Sequence, residues 1–130
     1  MKKYSIKTIL VPVDFSETST MAQQTAVDIA LKTKSKLVLI HVVEAVNPLS
    51  PQEMISLGLV NRQMIHASNE SLKAMKDELK DRYKLKAEYK SFCGNVYENI
   101  VRSAHLFNAD LIVMGTHGTS GIKEWLFGSN

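Results

Sequence analysis

Three short stretches of this sequence are apolar along almost their whole length, and they limit the fold more than any other feature. They are Ile9-Leu10-Val11 with Val13, Leu37 through Val43 broken only by His41, and Leu111 through Met114, all rich in β-branched or long aliphatic side chains. A strand with one face in water alternates polar with apolar residues. A strand apolar on both faces needs cover on both, the condition of a parallel sheet with helices on each side. The first strand is expected over Ile6–Val13, ending where Asp14-Phe15-Ser16 turn polar.

Helical periodicity fills the intervals. Ser16 can cap a helix of about four turns, in which Met21, Ala22, Thr25, Ala26, Ile29 and Ala30 recur at helical spacing before the break at Ser35. Ser50-Pro51-Gln52-Glu53 supplies a cap, a proline at the first helical position and a glutamate three residues after the cap. Met64, Ser68, Leu72, Met75 and Leu79 continue that helix to near Arg82, with the methionines as core filler and Gly58 as a place to bend. A third strand is expected over Leu85–Phe92. Asn95 then caps a helix carrying Val96, Ile100, Val101, Ala104 and Phe107, and a fourth strand covers Asp110–Met114. The order βαβαβαβ predicts one α/β domain over residues 1–130, an open, doubly wound parallel sheet of the Rossmann-like type. Ligands of such sheets sit beyond the carboxyl ends of the strands, at the point where the strand order reverses.

Charge and cysteine content narrow the function classes. Sixteen basic against 13 acidic residues leave +3, and Asp77, Glu78, Asp81 and Glu88 interrupt the densest basic stretch, Lys73–Lys90. Neither nucleic acid nor membrane is expected as a partner. The single cysteine, Cys93, cannot close an internal disulfide and is expected to pack at a strand end. No segment resembles a signal peptide or a membrane span, so the expected compartment is the cytoplasm.

Gly115, Gly118, Gly121 and Gly128 follow the last predicted strand within fourteen residues, in a chain with six glycines. Glycine lets a backbone approach a ligand closely, so that its amides can converge on anionic oxygens; the same glycines could equally shape turns. The spacing Gly115-x-x-Gly118, nine residues, Gly128-Ser129 resembles the phosphate and ribose signature of ATP-binding universal stress proteins. Ile9 through Ser16 is similar to that family's first strand and turn, and Ile40-His41-Val42-Val43 to its second strand end. The resemblance implies ATP, with Mg²⁺ on its phosphates, as ligand. It places Pro12, Val13 and Asp14 around the adenosine, Val42 at the adenine, and Met114 and Gly115 beside the ribose. His117 and Gly118 would run along the phosphate loop, with Gly128, Ser129 and Asn130 on the phosphates.

Simpler roles stand beside these. Asp14 also suits a turn or cap; His117 suits a loop donor better than a catalytic base; His41 suits a satisfied core histidine. Trp125-Leu126-Phe127 could cover the nucleotide or meet a partner, with core packing preferred. The lysine of a P-loop and the Gly-x-Gly-x-x-Gly of a dinucleotide site are missing; the resemblance implies a regulatory or stress-response module, and without a Walker-type lysine at most slow ATP hydrolysis is expected and no catalytic residue is assigned. The alternatives are a slow nucleotide-hydrolysing enzyme and a dimerising scaffold without ligand. Family members normally continue past the Gly-Ser pair with a helix and a fifth strand that commonly pairs two subunits. The sequence given ends at Asn130, so the expectation is a C-terminally incomplete or tandem arrangement, weaker nucleotide affinity, and homodimer or tandem-domain pairing.

Overall fold

The computed structural model describes residues 5–115. In chain order it contains β1 (Thr8–Pro12), α1 (Glu17–Thr33), β2 (Lys36–Glu44), α2 (Pro51–Tyr83), β3 (Ala87–Gly94), α3 (Val96–Leu106) and β4 (Leu111–Ile112). All strands are parallel in the order β3-β2-β1-β4. After β1 the chain steps twice to one side and then crosses back to add β4 on the other, so the order reverses between β1 and β4.

Pleat alternation divides the core. Ile9, Val11 and Val13 of the first strand and its extension pack with Leu37 and Leu39 against Ala26, Val27 and Ala30 of α1 and Leu72 and Leu79 of α2. Leu10, Val38 and Ile40 point to the other face, against Ile100 of α3. Helices therefore cover both faces, as the uninterrupted apolar strands require.

Each helix starts where a side chain satisfies the first orphan amides. Ser16 accepts from Ser19 N–H, Ser50 from Glu53 N–H and Asn95 from Glu98 N–H. Both α1 and α2 stop at a left-handed lysine, Lys34 and Lys84, each at φ 60°. Gly58 does not interrupt α2, which runs unbroken for 33 residues.

Several side chains sit elsewhere than their periodicity implies. Met21, Met54 and Met64 are exposed and not core filler, whereas Met75 packs on the core and Val27, outside the expected stripe, is buried. Cys93 is exposed, on an edge strand with water on one side, and does not pack. The fourth strand is two residues long rather than the five of Asp110–Met114. Leu10 carbonyl still accepts from Val113 N–H at 3.0 Å. The next residue on that side of β1 is Pro12, which has no N–H to offer, and the ladder stops there.

Candidate functional site

The carboxyl ends of β1 and β4 meet the first turn of α1, and the contacts between them are short. Asp14 follows β1 directly. Its Oδ1 accepts from Ser16 N–H at 3.0 Å and from the Ser16 hydroxyl at 2.5 Å, while its own amide donates to Ser19 Oγ at 3.2 Å. This turn forces Phe15 to φ 65°, a left-handed conformation uncommon for an aromatic residue. It sets the carboxylate beside the positive end of the α1 dipole, where negative charge is favoured. The turn role expected of Asp14 as an alternative is thus observed, at an exposed position on the strand end.

β2 extends past β1, and the register shows by how much. Pro12 pairs with Ile40, so β2 continues four residues beyond it to Glu44. The last backbone bond between the two runs from Val13 N–H to Ile40 carbonyl at 2.7 Å. Lys36 donates its amide toward β1 and Leu37 toward β3, so even-numbered residues of β2 direct their backbone groups to the β1 side. Val42 is the next of these. Its amide and carbonyl therefore face the edge that β1 has vacated. The Val13 carbonyl, which an extended ladder would have used, is bonded to His41 Nδ1 at 2.6 Å, so this nitrogen carries the proton. The His41 ring lies 4.9 Å from that of Phe15. His41 is the satisfied histidine expected, half-buried rather than in the core.

Gly115 closes the other side. A Cβ placed on it would lie 2.5 Å from Thr18 carbonyl oxygen and 3.1 Å from Ser19 nitrogen. The glycine is thus required by the first turn of α1, the same turn that Ser16 and Asp14 hold. Met114, one residue earlier, faces the opposite side of the sheet and lines a cleft of about 470 Å³ with Tyr97, Val96, Ile100 and Glu44. Pro12, Val13, Asp14, Val42 and Gly115 therefore gather at the strand-order reversal, with Met114 on its far flank. His117, Gly118, Gly128, Ser129 and Asn130 lie outside the described residues, as does Trp125.

Sequence reasoning missed Thr18 and Ser19, which complete the hydroxyl-rich first turn, and the Phe15–His41 contact. The run Ser16-Glu17-Thr18-Ser19 directly after a strand was the available signal. A larger cleft, about 560 Å³, lies at the amino ends of the strands among Lys7, Lys34, Lys36, Lys84 and Lys86. Volume alone would favour it; strand order favours the opposite end, where the chain diverges and Val42 directs its backbone groups past the end of β1.

No helix among the described residues is long and apolar enough to cross a membrane, and no three His, Cys, Asp or Glu side chains gather there as a metal cage. A family model described as "Universal stress protein family" matches residues 5–130. Universal stress protein MJ0577 of Methanocaldococcus jannaschii is 28% identical over 137 residues, covering 95% of this chain and 84% of the relative. Among solved structures, universal stress protein UspA from Lactobacillus plantarum superposes with a TM-score of 0.80 at 22% identity, covering 94% of this chain and 85% of that one. A universal stress protein family protein from Arabidopsis thaliana with AMP bound gives 0.62 at 15% identity, with 94% and 84% covered.

Proposed function

Because the chain belongs to the universal stress protein family, we propose that it is an adenine-nucleotide-binding regulatory domain of the stress-response type, with ATP as its preferred ligand. The observation that carries this reading is the vacated edge at the strand-order reversal. There Val42 directs its amide and carbonyl past the end of β1, offering one donor and one acceptor in the plane of the sheet, the pairing an adenine edge requires. Asp14 stands across from it beside a helix N-terminus and is the acceptor for the adenosine. Gly115 borders the ribose, with Met114 on the far flank, and the chain then leads into the Gly118, Gly128-Ser129 signature that would take the phosphates. AMP bound to the Arabidopsis relative supports an adenine nucleotide as ligand class. Mg²⁺ would be carried by the nucleotide phosphates, the usual arrangement for this ion.

The module binds and signals rather than turning over. Its ligand is recognised by backbone and by one carboxylate already engaged by Ser16, an arrangement that holds a nucleotide without activating water. Titration calorimetry with ATP, ADP, AMP and cyclic AMP tests the reading. Asp14→Asn keeps Oδ1 for Ser16 but removes the charge, and should weaken ATP binding by roughly 10- to 100-fold, the value of a hydrogen bond to a charged group. Unchanged affinity in that variant would remove Asp14 from the site. Multiple turnovers of phosphate release per second, lost in Asp14→Asn, would replace the binding module with an enzyme.

A further inference from the structure

Lysines from three distant parts of the sequence meet at the amino ends of the strands. Lys7 precedes β1, Lys36 opens β2 and Lys86 precedes β3. The Lys36 amide donates to the Lys7 carbonyl at 2.9 Å and the Leu37 amide to the Lys86 carbonyl at 3.0 Å. The three therefore stand side by side on adjacent strands, their α-carbons within about 10 Å. Lys34 and Lys84 end α1 and α2 at the same rim. All five line the cleft of about 560 Å³, and among the described residues neither a carboxylate nor an arginine lines it. Along the sequence the lysines are diluted by acidic neighbours; the fold collects them and leaves Asp77, Glu78 and Asp81 outside the lining.

Like charges crowded on neighbouring strands cost stability. Little within the chain offsets it. Among the described residues the five make one ion pair, Lys36 with Glu88. Asp110 lies near enough to Lys7 to feel its charge, but its Oδ2 accepts from the Lys7 and Thr8 amides. Attraction to the negative ends of the helix dipoles accounts for Lys34 and Lys84 and not for the three on the strands. Even at the helix ends lysine suits the backbone poorly: both sit at φ 60°, where glycine or asparagine ends a helix at less cost. Lys7, Lys34, Lys84 and Lys86 are exposed, so a single ligand has access to all of them.

The lining also defines the ligand chemistry. Lysine presents a compact charge that pairs with a phosphate from any direction, whereas planar, paired recognition of carboxylates favours the arginine fork that this cleft lacks. Tyr83 is the aromatic residue in the lining, and the Arg82 guanidinium lies 5.5 Å over its ring, so that face is closed to a stacked base. The volume suits a small molecule better than the track of a polymer. We propose that this cleft binds a compact anion carrying several phosphate groups, held by Lys34, Lys84 and Lys86 with Lys7 and Lys36 along the strand ends. The site lies at the opposite end of the sheet from the candidate nucleotide site and does not depend on that reading.

The test is titration of the full chain with inorganic tripolyphosphate in about 20 mM salt, where the screening length of about 20 Å spans the cluster. Calorimetry reads the affinity and amide chemical shifts read the place, which should be residues 7, 34–36 and 84–86. Lys34→Asn and Lys84→Asn remove charge but keep a residue that tolerates left-handed backbone; combined with Lys86→Gln they should weaken binding roughly 10-fold or more, with unchanged circular dichroism. Arg62→Gln, Lys73→Gln and Arg102→Gln together remove the same charge from exposed positions elsewhere and should change the affinity by less than about twofold. Equal losses in the two triple variants would reduce the effect to net charge and overturn the proposal. Shifts confined to Asp14, Val42 and Gly115 would overturn it by placing the anion at the candidate nucleotide site. Polyglutamate or single-stranded RNA binding these lysines more tightly than tripolyphosphate overturns the ligand class, and no binding at about 1 mM tripolyphosphate overturns the site.

Discussion

Gly115→Ala separates two reasons for a glycine at the end of β4. One is the ligand: only glycine lets the backbone approach a ribose. The other is the protein: the added Cβ would lie 2.5 Å from Thr18 carbonyl oxygen and 2.7 Å from its carbonyl carbon. Those atoms belong to the first turn of α1, which Ser16 caps and Asp14 ties to β1, so they cannot swing aside as a side-chain tip would. The backbone of one element or the other must move by several tenths of an ångström or more, a displacement of the kind that overpacking mutants show at about 1–3 kcal/mol. With a urea m value of about 1.5 kcal/mol/M for a domain of this size, the unfolding midpoint should fall by roughly 1–2 M. Urea titration followed by circular dichroism, without nucleotide, reads this directly. A midpoint unchanged within about 0.3 M would show that the close approach of β4 to α1 is not what requires glycine.

Two further substitutions test other joints. Asp110 accepts from the amides of Lys7 and Thr8 through Oδ2, and these bonds, Lys7 first, hold its carboxyl below the ordinary 3.8. A carboxylate with a lowered folded pKa lends stability that is complete above pH 3.8 and fades as the pH falls through the lower folded value; Asp110→Asn should therefore flatten the acid limb of the stability profile and leave its alkaline limb unchanged. Ser50→Ala removes the cap of a helix whose first half holds no fully buried residue, so the loss of about 1 kcal/mol should appear as roughly fivefold faster amide exchange at residues 52–54, while urea stability stays nearly constant.

Local chemistry was legible in the sequence wherever one short segment determined the outcome. Ser16, Ser50 and Asn95 were identifiable as caps because each stands just before an apolar period begins, and all three accept the expected amide. The parallel sheet followed from strands with no polar face. What escaped were features created by packing between distant segments. Met64 fits a helical stripe, yet nothing in the sequence states that burial in α2 begins only at Ser68. The truncation of β4 came from Pro12, a hundred residues earlier, and becomes predictable only once Leu10 and Val113 are known to pair. The requirement for glycine at 115 also depends on Thr18, a neighbour that only the strand order supplies.

The same proline helps explain why the candidate site lies where it does. β1 is the central strand, bonded on both sides, yet it stops at Pro12 while β2 and β3 remain paired as far as Glu44 and Gly94. An interior strand that stops four residues short of β2 leaves a notch in the sheet edge. On the β4 side Pro12 cannot extend the ladder; on the β2 side His41 takes the Val13 carbonyl that a longer strand would have used. The turn at Asp14 and Phe15 then directs the chain out of the sheet plane into α1 before either ladder could resume. Three local choices, a proline, a histidine and an Asp-Phe-Ser turn, thus keep the notch from closing by strand pairing. The left-handed Phe15 carries part of the cost, of order 1–3 kcal/mol for a strained residue. A fold with no use for that opening would gain stability by filling it, since strand extension would satisfy the amide and carbonyl of Val42 within the protein. That they remain directed at the notch is the physical reason to expect a planar, hydrogen-bonding ligand there.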